Sequence, residues 1–241
     1  MNKAIRVHRT GPASVLKWED VTITSPKPGE AIIRNTAIGL NFIDTYHRKG
    51  LYPLPTPFTP GVEGAGVIEA LGTNVEGLKI GDRVTYCSDP IGSYSEKRCF
   101  PADRLIKIPR GITDEQAASM MLKGLTAAML LKRIYVPKPS DTILVHAAAG
   151  GVGLILCQWA KYLGANIIGT VSSRKKAALA RANGCDKTII YSESNFVDRV
   201  LRYTKGEGVP VVYDGVGKDT YPGSLDCLSM RGIWITYGNA S

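Results

Sequence analysis

Short β-type runs fill the first half of the chain: "KAIRVH", "EAIIRNTAIG", "GAGVIEALG", "GDRVTYC" and "DRLIKIP". Turn signals such as "PKPGE" and "LKIGD" separate them, a spacing that predicts a twisted β barrel or sandwich. "NFIDTYHRKG" at 41–50 reads as a short helix or loop stopped by glycine, and "YPLPTPFTPG" at 52–61 is too rich in proline for regular structure. From about residue 113 the pattern changes. "TDEQAASMMLKGLTAAMLLKRIY" predicts a helix with Thr113 as N-cap and Asp114, Glu115 and Gln116 in its first turn. Strands are then expected over Ile143–Val145, Asn166–Val171, Lys187–Ile190, Pro210–Asp214 and Ile233–Tyr237, and helices over 151–164, 174–183, 194–204 and 219–230. Such alternation implies an α/β fold, a parallel sheet with helices on both faces.

Between the first of these strands and its helix stands "HAAAGGVG", at 146–153. A strand that must turn sharply into a helix, with a diphosphate lying on the helix N-terminus, needs residues with little or no side chain. In the register of G-x-G-x-x-G the chain offers Ala148-Ala149-Gly150-Gly151-Val152-Gly153, with alanine in place of the first glycine. A turn whose small residues serve packing alone is the other reading. An NAD site usually carries Asp or Glu about 20 residues further on, bonded to the ribose 2′-OH. Nineteen residues beyond Gly153 stands Ser172 (172 − 153 = 19), in "TVSSRKK", and no carboxylate accompanies it. Ser172 can donate a hydrogen bond, and Arg174 and Lys176 bring positive charge, so a 2′-phosphate and hence NADP(H) is expected. A solvated helix start is the alternative, opposed by the dipole of that helix. Tyr191, after the third strand, is a candidate beside the adenosine ribose or a packing residue. "DGVG" at 214–217 and "GNAS" at 238–241, the latter with Gly238 and Asn239, lie at carboxyl ends of strands and are candidates for the nicotinamide ribose, or ordinary turns.

Composition narrows the class. With 241 residues, 44% hydrophobic and 21% charged, the chain suits one or two soluble domains. No apolar run reaches signal-peptide or membrane-span length, so a cytoplasmic location is expected. The five cysteines are scattered and lack a C-x-x-C pair, which argues against a disulfide framework or a cysteine zinc site. The net charge of +9 is spread along the chain apart from "SSRKK"; it keeps RNA among the conceivable partners, although no aromatic-basic array accompanies it.

"AIGLNFIDTYHRKGLYP", "PGVEGAGVIEALG", "GDRV", "LKGLTA" and "HAAAGGVGLILCQWAKYLGA" resemble the zinc-free, zeta-crystallin-like quinone oxidoreductases of the medium-chain dehydrogenase/reductase superfamily. The resemblance runs over essentially the whole chain. It implies a GroES-like substrate domain (1–124) followed by a Rossmann NADP-binding domain (125–241), and reduction of quinones or conjugated carbonyls by NADPH. It also implies a homodimer. In "NFIDT", Asn41 and Asp44 resemble residues on the nicotinamide side of the coenzyme; an Asn cap and an Asp ion pair are the alternatives. Tyr46 and Tyr52 resemble tyrosines lining a substrate cleft, where a hydroxyl can polarise a quinone oxygen, against ordinary aromatic packing. Thr126 in "LKGLTA" resembles a residue beside the nicotinamide. Zinc-dependent relatives carry Gly-His-Glu where this chain reads Gly61-Val62-Glu63, and a ligand cysteine where it has Asn41, so no catalytic metal is expected. His8, His47 and His146 are far apart in sequence. The sheet is expected to be C-terminally incomplete, because the chain stops at Ser241, directly after its fifth parallel strand, whereas family members run longer. A nucleotide-dependent RNA-binding or crystallin-type protein and a zinc-free alcohol dehydrogenase are the rival expectations; alcohol oxidation benefits from a metal that acidifies the hydroxyl.

Overall fold

The computed structural model describes residues 2–241, which divide into two compact units, one up to Leu122 and one from Lys123 onward. The first unit is β-rich. Strands β1 (Asn2–Val7) and β2 (Leu16–Val21) form an antiparallel pair. Strands β3 (Glu30–Ile38), β4 (Glu63–Leu71), β5 (Arg83–Cys87), β6 (Lys97–Pro101) and β7 (Ile106–Lys107) form an antiparallel sheet in the order β6-β3-β4-β5-β7. Ile33, Ile68, Val84, Tyr86 and Phe100 fill its core. Helix α1 (Phe42–Lys49) follows β3, and Gly50 at its end takes the left-handed conformation (φ 85°), as the glycine stop predicts. No helix or strand covers residues 52–61.

Helix α2 (Asp114–Met129) starts in the first unit and ends in the second. Its N-terminus is the expected capping box: the Gln116 N–H donates to Thr113 Oγ1 at 3.2 Å, and the Thr113 N–H donates to Gln116 Oε1 at 2.9 Å. A π-helical turn over Leu130–Ile134 closes the helical run.

The second unit alternates β8 (Thr142–Val145), α3 (Gly151–Tyr162), β9 (Asn166–Val171), α4 (Arg174–Ala182), β10 (Lys187–Ile190), α5 (Phe196–Tyr203), β11 (Val209–Asp214), α6 (Tyr221–Asp226) and β12 (Leu228–Thr236). The sheet is parallel, in the order β10-β9-β8-β11-β12. Successive side chains of β8 serve opposite faces. Ile143 and Val145 pack with Leu156 and Ala160 of α3, while Leu144 packs with Val200 of α5. Because the chain leaves β8 first toward β9 and later returns to its other side at β11, the carboxyl end of β8 is a topological switch point, where such sheets bind ligands.

One boundary departs from the sequence expectation. The helix expected over 219–230 ends at Asp226, and Leu228–Met230 already belong to β12. Arg231 (φ 62°) marks an irregularity in that strand, whose pairing with β11 shifts register between Val209 and Val211. An edge strand interrupted in this way shows no clean period.

Candidate functional site

The turn after β8 is built from close approaches. Ala147 adopts φ 50°, unusual for a residue other than glycine, and the Gly150 N–H closes onto its carbonyl at 2.7 Å. Gly150 is the N-cap of α3 and brings no side chain to it, so no side-chain oxygen competes for the first N–H groups of that helix. Ala148 is fully buried where the common fingerprint has glycine. The neighbouring strand compensates: a Cβ on Gly169 of β9 would lie 2.5 Å from the Ala148 Cβ, so glycine there leaves space for alanine here.

Gly153 answers for packing. A Cβ on it would lie 2.4 Å from the Ala147 carbonyl oxygen and 2.8 Å from the Ala148 Cα, both rigid backbone. Gly153→Ala should therefore destabilise by about 1–3 kcal/mol through overpacking. Gly151→Ala should cost less, because its Cβ would meet the Lys123 Cδ at 2.8 Å, a side-chain carbon rather than backbone. Thermal unfolding of the two variants checks the order. The packing and the binding readings of this turn are thus compatible, and they fall on different glycines.

Ser172, Arg174 and Lys176 lie at the carboxyl end of β9 and the start of α4. Ser173, rather than Ser172, caps that helix, its Oγ accepting the Lys176 N–H at 3.3 Å. Arg174 extends into solvent (87% exposed) and its Nε donates to Glu193 Oε1 at 3.2 Å. Tyr191 is exposed on the next strand's end. Gly238 and Asn239 follow β12 and meet the loop after β11: a Cβ on Gly238 would lie 2.6 Å from the Gly215 carbonyl oxygen, and one on Gly217 would lie 3.5 Å from the Asn239 Cα. Thr126 is half-buried on α2.

The loop after β11 is anchored by a polar chain that sequence reasoning missed. The Asp214 carboxylate, fully buried, accepts the N–H groups of Val216 (2.9 Å) and Gly217 (3.1 Å), the Thr220 hydroxyl (2.8 Å) and the Trp234 Nε1–H (3.1 Å). Ser224 Oγ lies between it (3.1 Å) and His146 Nε2 (3.1 Å), and His146 Nδ1 faces Thr170 Oγ1 at 2.9 Å. His146, the residue that opens the glycine turn, is thereby fixed from two strands and a helix. Burial pushes its pKa down to about 4 against the opposing pull of Asp214. Asp214 itself is held below the usual carboxylate range by His146 and its hydrogen bonds, which outweigh burial.

In the first unit the candidates cluster on α1. Asp44 Oδ2 accepts the Asn41 backbone N–H (2.9 Å) and the Tyr94 hydroxyl (2.9 Å), and its Oδ1 has no hydrogen-bond partner. Burial raises the Asp44 pKa in spite of these bonds. The side-chain amide of Asn41 donates to Glu63 Oε2 at 2.7 Å. Tyr46 is buried and Tyr52 half-exposed, their rings edge to face at 5.3 Å, with His47 6.1 Å from Tyr52. Asn41, Asp44, Tyr46 and Tyr52 thus share one neighbourhood, and the residues from Ala149 to Gly153 another. Glu63 was legible in the sequence only as the last member of Gly61-Val62-Glu63. Among the described residues no group of three His, Cys, Asp or Glu side chains is arranged to hold a metal ion, and no helix is long and apolar enough to cross a membrane.

Known proteins agree with this architecture. Residues 27–110 match the family described as alcohol dehydrogenase GroES-like domain, and residues 151–241 the one described as zinc-binding dehydrogenase. The quinone oxidoreductase of Pseudomonas aeruginosa is 52% identical over 242 residues, covering 100% of this chain and 74% of that protein. The 2-haloacrylate reductase of a Burkholderia species is 47% identical over 247 residues, with 100% and 74% covered. The solved structure of Escherichia coli quinone oxidoreductase complexed with NADPH superposes with a TM-score of 0.97 at 46% identity, covering 99% of this chain and 74% of that one. The chain belongs to the quinone oxidoreductases of the medium-chain dehydrogenase/reductase superfamily, with a GroES-like part followed by a Rossmann-type sheet.

Proposed function

We propose that the protein reduces quinones, or related conjugated carbonyls, at the expense of NADPH and without a metal ion. The observation that carries this reading is the turn at 146–153: a side-chain-poor bend at the switch point of a parallel sheet, opening on an N-terminus of α3 that no side chain caps. The residues fit a phosphorylated dinucleotide. Gly150, Gly151 and Val152 offer backbone to a diphosphate, and Ser172, Arg174 and Lys176 offer a hydroxyl and two cations where a carboxylate would favour the unphosphorylated ribose. Tyr191 borders the adenosine, Gly238 and Asn239 the nicotinamide ribose, and Thr126, Asn41 and Asp44 the nicotinamide end. Relatives support the assignment: several are named quinone oxidoreductases, and the E. coli structure carries NADPH.

The coenzyme, when bound, supplies a hydride. A quinone spreads the incoming negative charge over its ring, so the protein's part is chiefly to orient, through Tyr46, Tyr52 and Asn41, and to exclude water. Val62 and Asn41 stand where zinc-dependent relatives place ligands, which supports metal independence. The relative named for 2-haloacrylate, an activated alkene, keeps conjugated acceptors beside quinones in the substrate class. We assign residues 1–124 to the substrate part and 125–241 to the coenzyme part, and a homodimer follows from the family resemblance. Loss of reduced-nicotinamide absorbance with 1,4-benzoquinone as acceptor tests the reading. Tight NADPH binding with no turnover of benzoquinone or of an acrylate would overturn it.

A further inference from the structure

Glu63 opens β4, is fully buried, and has no part in the reaction as proposed above. Its carboxylate accepts the Asn41 Nδ2–H at Oε2 (2.7 Å) and the Leu122 backbone N–H at Oε1 (2.8 Å). The main chain leaves room for it. A Cβ on Gly39 would lie 2.4 Å from Glu63 Oε2 and 2.2 Å from the Ala118 carbonyl oxygen, so only glycine passes there, and the Gly39 N–H donates to the Glu63 carbonyl at 3.1 Å. The loop before α1, strand β4 and helix α2 thus converge on one acid.

An amide side chain has two ends of nearly equal shape and opposite polarity, whereas a carboxylate only accepts. Glu63 therefore selects which end of Asn41 turns inward. We propose that Glu63 is a positioning residue that fixes the polarity of the Asn41 amide, an inference resting on the reading of Asn41 as a residue of the nicotinamide and substrate end. With the NH2 group held on Glu63, the amide oxygen is kept on the opposite side, where it completes the capping box at the first turn of α1, so that Glu63 and the cap favour the same polarity.

Glu63→Gln changes this at constant shape. One oxygen must now serve both Leu122 and Asn41, or the new NH2 group faces Asn41 and turns its amide over. The expected result is a fall in kcat on the order of 10- to 100-fold, the usual effect of a misoriented group, with the NADPH dissociation constant nearly unchanged. Asn41→Asp alone sets two carboxyl groups at hydrogen-bond distance; they must share a proton, so activity should rise as pH is lowered, unlike that of the parent. Asn41→Asp together with Glu63→Gln restores one donor to each acceptor, and the pair should be more active than either single variant. A Glu63 that merely fills space gives losses that add.

The Asn41 side-chain NH2 resonances read the contact without turnover: one proton should lie downfield and exchange slowly, and Glu63→Gln should abolish that signature. If the parent reduces quinone but the variant keeps both the resonance and kcat, the Glu63 assignment falls and the proposed function stands. If the resonance responds but the parent reduces no acceptor, the function falls and the positioning stands. Should Glu63→Gln not fold, the pH profile of Asn41→Asp decides, and a profile like the parent's overturns the assignment.

Discussion

The folded protein should lose about 3 kcal/mol of stability from His146 between pH 6.5 and pH 4, since each unit of pKa difference is worth about 1.4 kcal/mol. The imidazole titrates at 6.5 when unfolded and at about 4 in the fold. Between those values the unfolded chain binds a proton that the native ring refuses, so stability falls as pH falls and levels off below the native value. The cause is physical and local. His146 is fully buried and edge-on to Phe196 at 5.0 Å, where a cation has no water. Its hydrogen bonds fix the neutral tautomer: Ser224 gives its own proton to Asp214 or to the Thr220 carbonyl, so Nε2 must carry the ring proton toward Ser224 and Nδ1 accept from Thr170. Other groups modulate the profile, among them His47, which burial also lowers and which adds to the loss in the same range, and two buried carboxyls. Asp44, raised by burial, opposes the loss, because its native form takes up a proton before the unfolded one does. Asp214, lowered, adds to the loss only below the ordinary carboxylate value of 3.8. Denaturant titrations at a series of pH values should show a slope near 1.4 kcal/mol per unit between pH 4.5 and 6. His146→Gln keeps a donor and should reduce the slope, leaving the part that His47 contributes; equal slopes in the two proteins would show that the His146 ring is not the titrating group.

What the sequence disclosed follows from how local each signal is. The strand–turn–helix at 142–162 was legible because a short continuously apolar run passes into a helical run across a stretch of Ala and Gly. The Thr113–Gln116 box was legible for the same reason, since its partners lie three residues apart. Strand β2, "LKWEDV", gave no signal: three of its six residues are charged and among the described residues its strand partner is β1 alone. Strand β6, "KRCFP", hides its burial differently. Arg98 is buried by stacking 4.5 Å over Phe100 and 5.0 Å over Tyr86, a cation in a position that pattern reading assigns to solvent. The site divides in the same way. Gly150 to Gly153 are adjacent and were found together, but Glu63 meets Asn41 across 22 residues and Leu122 across 59, and Asp214 and Ser224 reach His146 only through the folded sheet. A residue whose purpose is to orient another carries no pattern of its own. Glu63 therefore reads in the sequence only as the last residue of Gly61-Val62-Glu63, and its link to Asn41 and Leu122 exists only in the folded chain.

NADPH should bind roughly 30- to 150-fold more tightly than NADH, and Arg174→Gln with Lys176→Met should remove most of that preference, an effect of about 2–3 kcal/mol. Two charge-assisted hydrogen bonds to a 2′-phosphate would each bring about 1.5–3 kcal/mol in a sheltered site, but Arg174 stands in solvent and the sum must be discounted for screening. Both cations lie in the first turn of α4, where they oppose the helix dipole and where an anion relieves the misfit. The protein also holds a competitor in place: Glu193 accepts from Arg174 at 3.2 Å and is half-exposed. A phosphate must take Arg174 from it, so Glu193→Gln should raise the preference, by at most about fivefold because such surface pairs are worth up to about 1 kcal/mol. NADH lacks the phosphate and should bind the parent and these two variants alike. Raising salt should shrink the gap between the coenzymes in the parent and leave the double variant nearly unaffected. Gly151→Ala provides the contrast, since it lies on the turn assigned to the diphosphate, which is common to both coenzymes: it should weaken NADPH and NADH by the same factor. Fluorescence titration of the two reduced coenzymes separates these outcomes. Equal affinities in the parent would dissociate the basic start of α4 from coenzyme choice while leaving the glycine turn as the diphosphate site.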